Sequence, residues 1–216
     1  MPEAAKETSD LWETMSTMRA MRRLKPDPVP DELINKILQA GQWAPSGGNT
    51  QPWRWLVIDD AETKARLGAL YRKQAGPYLA AGKADAERAG TGVMDRIIDS
   101  AVYLAEHIGE VPVMVIPCLL TRVPEGAGVM DTSGFYGSIL PAAWSFMLAL
   151  RSRGLGSAWT TLHLNYEREA AGILAIPETV TQVAMLPVAY YRGDDFKAAR
   201  RQPAEKATYF NAWGQR

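Results

Sequence analysis

Ala44-Pro45-Ser46-Gly47-Gly48-Asn49-Thr50-Gln51-Pro52 leads directly into Trp53-Arg54-Trp55-Leu56-Val57-Ile58. The first stretch sets glycines and short polar side chains between two prolines and reads as a stiffened loop. The second is aromatic and β-branched and reads as a strand. Upstream, Pro30, Asp31 and Glu32 suit the first turn of a helix that buries Leu33, Ile34, Ile37 and Leu38 and ends near Trp43. The local order is therefore helix, polar loop, strand.

Further upstream, Met15, Met18, Met21 and Leu24 recur every three residues, and the spacing predicts a short helix over 13–25 with Arg19, Arg22, Arg23 and Lys25 as a cationic stripe. Pro26, Pro28 and Pro30 stop it. Downstream, residues 61–95 predict helical pieces joined by a mobile link around Gly90 to Gly92. Ile97, Ala101, Leu104, Ala105 and Ile108 then mark a helix running into a strand, Val113 to Leu120, and a loop from Thr121 to Gly128. Pro141 can open the helix carrying Trp144, Met147 and Leu148, with Arg151 and Arg153 in its last turn and Gly154 ending it. A weak strand at Ser157 to Leu162, a helix from Asn165 (its cap) to Leu174 before Pro177, and a strand from Val180 to Tyr191 complete the pattern. Arg192 to Arg216 is a tail without a core of its own. The strands are too few and the tail too long for a doubly wound fold, so the expectation is α+β, helices against a mixed or antiparallel sheet.

The chain has 216 residues, 24 basic and 24 acidic side chains, two histidines and one cysteine. One domain is expected, and balanced charge gives a polyanion no overall field, so nucleic acid is not an expected partner. The first thirty residues carry no continuous apolar stretch of the secretory kind, and no run approaches the length of a membrane span, so a cytoplasmic, membrane-free protein is expected. Cys118, in an apolar run, reads as a buried thiol.

His107, His163 and Cys118 lack metal-ligand spacing. Ser46 sits in Ala-Pro-Ser-Gly-Gly before a strand, unlike a nucleophile elbow. Gly126-Ala-Gly128 and Gly154-Leu-Gly156 lack the third glycine of a dinucleotide loop, and no Walker lysine follows a glycine-rich turn. Yet cations concentrate at Arg19, Arg22, Arg23 and Lys25, and again at Arg192, Lys197, Arg200 and Arg201. Each cluster alone suits a solvated face, and the loop polar groups alone could satisfy their own backbone. Together they suit a bound cofactor that brings its own reactivity.

Four segments carry a resemblance. Arg19-Ala20-Met21-Arg22-Arg23-Leu24-Lys25-Pro26, Pro45-Ser46-Gly47-Gly48-Asn49-Thr50-Gln51-Pro52-Trp53, Gly154 to Thr161, and Leu186-Pro187-Val188-Ala189-Tyr190 followed by Arg200-Arg201-Gln202-Pro203 resemble, in order, motifs of the FMN-dependent nitroreductase family. The resemblance implies an α+β fold with a central, mostly antiparallel sheet packed by helices, in an intertwined homodimer with exchanged terminal arms: one domain over 1–216, with a core at 10–203 and a C-terminal arm at 204–216. It implies that Arg19, Ala20 and Arg22 meet the flavin, that Pro45, Ser46 and Asn49 contact its ribityl and ring region, that Thr160 and Thr161 face its N5 and O4 edge, and that Arg201, or Arg200 one place earlier, binds its phosphate. Where many members have two basic residues and a serine, this chain has Met18-Arg19-Ala20, so phosphate contacts must come from elsewhere.

FMN and NAD(P)H are the implied cofactors, and the implied activity is ping-pong hydride transfer through flavin N5 to small organic acceptors such as nitroaromatics or quinones, without a catalytic side chain. Reductive dehalogenation, ene reduction or flavin fragmentation on the same scaffold, or flavin binding without turnover, remain the alternatives.

Overall fold

A strand apolar at every position has to be covered on both faces, and Val113-Met-Val-Ile-Pro-Cys-Leu119 is buried throughout. The computed structural model describes residues 7–89, 92–193 and 196–216. Its elements are α1 (Leu11–Thr17), α2 (Asp31–Gln42), β1 (Trp53–Ile58), α3 (Ala61–Ala89), α4 (Val93–His107), β2 (Val113–Leu119), α5 (Val129–Ser152), β3 (Leu155–Ser157), α6 (Glu167–Leu174), β4 (Thr181–Gln182) and β5 (Leu186–Tyr190). The sheet order is β1-β2-β5-β3, with β4 also on β2, and every pairing is antiparallel. Because side chains alternate along a strand, Met114, Ile116 and Cys118 pack with Leu67 and Tyr71 of α3 and Leu104 of α4. Val113 and Val115 pack with Ile34 and Ile37 of α2 and Phe146 and Leu150 of α5. The result is the expected α+β fold: an antiparallel sheet between two helical layers. Cys118 lies inside it, where burial pushes its thiol up to about 12.

Several local expectations change. The helix over 13–25 stops at Thr17, and Met18 is extended (φ −65°, ψ 130°). A three-residue repeat is also the period of an extended threefold backbone, and Met18, Met21 and Leu24 keep that period as buried residues. The segment's backbone bonds go to the sheet: Met21 N–H donates to Ser157 O (2.9 Å), Lys25 N–H to Tyr190 O (2.7 Å), and Arg192 N–H to Arg23 O (3.0 Å). Residues 61–95 fall in two helices as expected, α3, which runs unbroken through Pro77, and the start of α4; of the expected link, Gly90 and Thr91 lie outside the described residues, and Gly92 caps α4 at φ 62°.

The helix assigned to start at Pro141 starts at Val129. Proline inside a helix costs about 3 kcal/mol, but Ser138, Ile139, Ala142 and Ala143 are all buried around it. Tertiary packing decides there, as it commonly does for helices. By length and composition α5 is apolar enough to cross a membrane, an amendment to the sequence expectation, although it packs on α2, β2 and β3. Buried Arg151 in its last turn donates from Nε to Thr17 Oγ1 (3.0 Å) and from a terminal nitrogen to Tyr191 Oη (3.3 Å), tying α5 to the ends of α1 and β5. Gly154 at φ 70° then ends the helix.

The strand expected at 157–162 is shorter and earlier, and Thr160 joins the sheet only through a bridge to Met185. Asn165 is no cap: Leu162–Tyr166 form a 3₁₀ turn, and α6 starts at Glu167. The last strand divides because the chain changes partner: Val183 N–H bonds Pro117 O, and Met185 N–H bonds Thr160 O.

Gly156 in β3 has no room for a side chain. A Cβ there would stand 2.8 Å from the Tyr191 ring and 2.9 Å from Met21 Cβ. Gly156→Ala should destabilise the fold by about 1–3 kcal/mol through overpacking, measured by urea unfolding. An unchanged midpoint would mean that the Met21 segment does not seat on β3.

Candidate functional site

Seating Met21 and Leu24 in the core turns the intervening side chains of the extended segment outward. Arg19, Ala20, Arg22 and Arg23 line a cavity of about 160 Å³ with Ser100 of α4 and with Tyr191, Arg192 and Phe196 at the end of the sheet. Arg19 is half-buried: its guanidinium lies 5.3 Å from the Phe196 ring centroid, Nε donates to Thr17 O at 3.3 Å, and a terminal nitrogen donates to Lys197 O. Arg22 reaches Ser100 Oγ at 3.5 Å. The guanidiniums of Arg23 and Arg192 lie 5.4 and 5.6 Å from the centroid of the same ring, Tyr103. No ion pair among the described residues uses Arg19, Arg22, Arg23, Lys25 or Arg192. Among the described residues, several cations thus gather with no carboxylate paired to them, an arrangement that favours an anionic ligand.

The loop from Pro45 to Gln51 is stiffened from within. Gly48, Asn49 and Gln51 are left-handed (φ 57°, 54° and 47°). Gln51 N–H donates to Ser46 Oγ (3.0 Å), the Gln51 amide donates to Asn49 Oδ1 (3.1 Å), and Gly47 N–H donates to Ser138 Oγ (3.2 Å). The loop therefore does satisfy much of its own backbone. The Ser46 hydroxyl accepts and keeps its proton to donate, and the Asn49 Nδ2 has no partner among the described residues.

The structure does not bring all the expected residues to one place within a single copy. Arg23 and Arg192 meet beyond the Tyr190 end of β5, level with the Val113 end of β2, whereas the 45–51 loop precedes Trp53, which pairs with Leu119 at the other end of β2. A strand of that length separates its ends by roughly 20 Å. Thr160 is buried between, its hydroxyl donating to Met185 O at 2.6 Å, and Thr161 is exposed. Arg201 is exposed, with a terminal nitrogen on Arg200 O. Two residues earlier, Ala199 N–H bonds Ser16 O and holds that part of the tail near Arg19.

The Nitroreductase family model matches residues 16–190. The chain belongs to the nitroreductase family. A relative from Methanothermobacter thermautotrophicus, whose name proposes an NADH dehydrogenase or NAD(P)H nitroreductase, is 28% identical over 187 residues, covering 84% of this chain and 77% of its own. The iodotyrosine deiodinase of Danio rerio is 25% identical over 190 residues, or 83% of this chain, which spans only 59% of that longer protein. Among solved structures, an oxidised iodotyrosine deiodinase bound to FMN and 3-iodo-L-tyrosine superposes with a TM-score of 0.69 at 22% identity, over 90% of this chain and 96% of that one.

Several residues in and beside the cavity escaped sequence reasoning: Ser100, Tyr191 and Phe196, which line it, and Tyr103, which carries two of its arginines. One signal was available. Ser100, Tyr103 and His107 recur at helical spacing opposite the apolar Ile98, Val102 and Ala105.

Just beyond Thr161, His163 is fully buried, and neither ring nitrogen has a hydrogen-bond partner among the described residues. Burial holds its imidazole down at about 4, below the ordinary 6.5. The unfolded chain therefore binds the extra proton first, so stability should fall as pH drops from about 6.5 towards 4, by up to roughly 3 kcal/mol. His163→Leu should flatten that slope in urea unfolding at pH 7 and pH 5. A variant with the wild-type slope would assign the acid sensitivity to other groups.

Proposed function

We propose that this nitroreductase-family chain is an FMN-dependent, NAD(P)H-linked oxidoreductase that reduces small organic acceptors such as nitroaromatics or quinones. The observation that carries the reading is the cavity of uncompensated arginines. FMN ends in a phosphate of nearly two negative charges, and a hydrogen bond to a charged group contributes about 1.5–3 kcal/mol. The donor set fits that group: planar guanidiniums at Arg19 and Arg22, with Arg201 or Arg200 brought alongside by the tail. When bound, FMN supplies the redox chemistry, accepting hydride equivalents from NAD(P)H and passing them to the acceptor.

The chain's own groups bind and orient. Arg22 would lend positive charge to the flavin when it is bound, an electrostatic aid to taking up negative charge. Ser46 donates a hydroxyl proton and Asn49 an amide, both from a loop whose internal bonds limit the ordering required on binding. The Thr160 N–H, C=O and hydroxyl are all bonded to Met185, so this residue would fix the backbone leading to exposed Thr161 rather than bond the flavin itself. No side chain of this set need act as a general acid or base.

The distance between the loop and the arginines within one copy supports a homodimer in which each cavity is completed by the partner's loop, an isologous arrangement. Exposed Leu140 and Trp144 lie one turn apart on α5, and Phe210 and Trp213 of the arm over 204–216 are exposed as well. A second copy would cover such groups. A second reading, reductive dehalogenation, is favoured by the similarity to iodotyrosine deiodinases along most of this chain.

The purified protein should be yellow with near-stoichiometric FMN and should be bleached anaerobically by a nicotinamide donor, then recoloured by a nitroaromatic, a quinone or an iodophenol. Colourless protein that takes up no added FMN would end this reading, and the recolouring acceptor separates the two chemistries. Arg201→Ala should raise the FMN dissociation constant about tenfold or more without changing the fold, read by flavin release on dialysis. Unchanged retention would reassign the phosphate. Trp144→Glu should shift sedimentation towards monomer and release flavin in parallel. Monomers that keep their flavin would refute the shared cavity.

A further inference from the structure

Beside the arginine cavity lies a second one of about 140 Å³, sharing Arg22 and Arg192 as a wall and lined otherwise by Lys25, Tyr103, His107 and Glu110 among others. Water occupies about 30 Å³ per molecule in the liquid, so the space has room for a phosphoryl group. Among the described residues its charged rim is Arg22, Lys25 and Arg192 against one carboxylate, Glu110, and that carboxylate is turned to His107 Nδ1 at 2.9 Å.

Arg23, which lines the first cavity and not this one, and Arg192, which lines both, lie over the same Tyr103 ring and are joined through the backbone by the Arg192 N–H to Arg23 O bond, so the Tyr103 ring marks the seam between the two cavities. Tyr103 is itself held against the His107 ring, with centroids 4.4 Å apart. Stacking holds a guanidinium by its face and leaves the N–H edge free, so both exposed arginines are oriented before any ligand arrives. Arranging several cations in this way costs folding energy through mutual repulsion, and a resident anion would offset it.

We propose that the Arg23–Tyr103–Arg192 stack with Lys25 binds the 2′-phosphate of NADPH and makes this protein select NADPH over NADH. The proposal rests on the reading of the chain as a nicotinamide-linked flavoenzyme and names the donor it uses. A monoester phosphate offers nearly two charges and three acceptor oxygens, which match two guanidinium forks and an ammonium. A site for NADH would instead place a carboxylate to accept from the ribose 2′-hydroxyl, whereas arginine accommodates the 2′-phosphate. The carboxylate here is already engaged by a histidine.

The test uses the flavin-loaded protein and compares anaerobic flavin bleaching by NADPH and by NADH in wild type, Arg23→Gln, Arg192→Gln and the double variant, with calorimetric titration of NADP⁺ and NAD⁺ alongside. Wild type should prefer NADPH by about tenfold or more. The double variant should raise the NADPH KM and the NADP⁺ Kd about ten- to hundredfold while those for the unphosphorylated forms move less than about threefold. Tyr103→Leu, which keeps both arginines but removes their ring, should weaken NADP⁺ binding in the same direction. Equal losses for both donors, or no discrimination in wild type, would overturn the proposal. Loss of FMN with an unchanged donor ratio would also overturn it, by assigning the stack to the flavin phosphate. Should the protein prove flavin-free, which would defeat the broader reading, NADP⁺ binding that exceeds NAD⁺ binding and is lost in the double variant would still uphold the pocket, and its absence would refute it.

Discussion

The closure of the Met18–Lys25 segment onto the sheet is the contact on which the site depends. Gly156 lacks the side chain that would collide with Met21 and Tyr191, and the Met21 N–H reaches Ser157 O. Arg151, buried at the end of α5, then ties Thr17 on one flank and Tyr191 on the other. With the methionines anchored in the core, the arginines between them have no freedom to turn inward. Their orientation follows from apolar packing below rather than from polar partners above.

That arrangement leaves an electrostatic imbalance. Arg19 and the Arg23–Arg192 pair rest on aromatic rings and backbone carbonyls, not on carboxylates. Aromatic faces hold a cation in place while neutralising little of its charge, so the cavity keeps its pull on an anion. The opposite pattern holds across the molecule at Arg122, where two contacts to the Glu167 carboxylate and one to Glu178 O satisfy the guanidinium. The same residue type thus is held by a carboxylate at one end and by aromatic faces and carbonyls at the other.

Much of the fold was legible because the signals were local. Pro30-Asp-Glu began α2 and Gly154 ended α5, as the residue chemistry requires, and the continuous apolar run at Val113 marked the central strand. The errors have physical causes. A period of three residues does not distinguish a helix from an extended threefold segment, so the arginine stretch was misassigned until its backbone partners were known. Pro141 suggested a helix start because the packing that carries α5 through it comes from α2 and the sheet, which no local window contains. The candidate residues were found through composition and motif resemblance, while Ser100, Tyr103 and Phe196 give no sign in the sequence of proximity to Arg22 or Arg19.

By itself the sequence determined the α+β class, the order of the helix, polar loop and strand, the family, and the excess of arginines in two distant stretches, since each is written in neighbouring residues. Only the tertiary structure decided that Arg23 and Arg192 share one ring, that Arg19 points over Phe196, and that the Ser46–Asn49 loop stands at the far end of the sheet from them. Such facts depend on strand order and antiparallel register, which are settled by long-range backbone pairing and core packing.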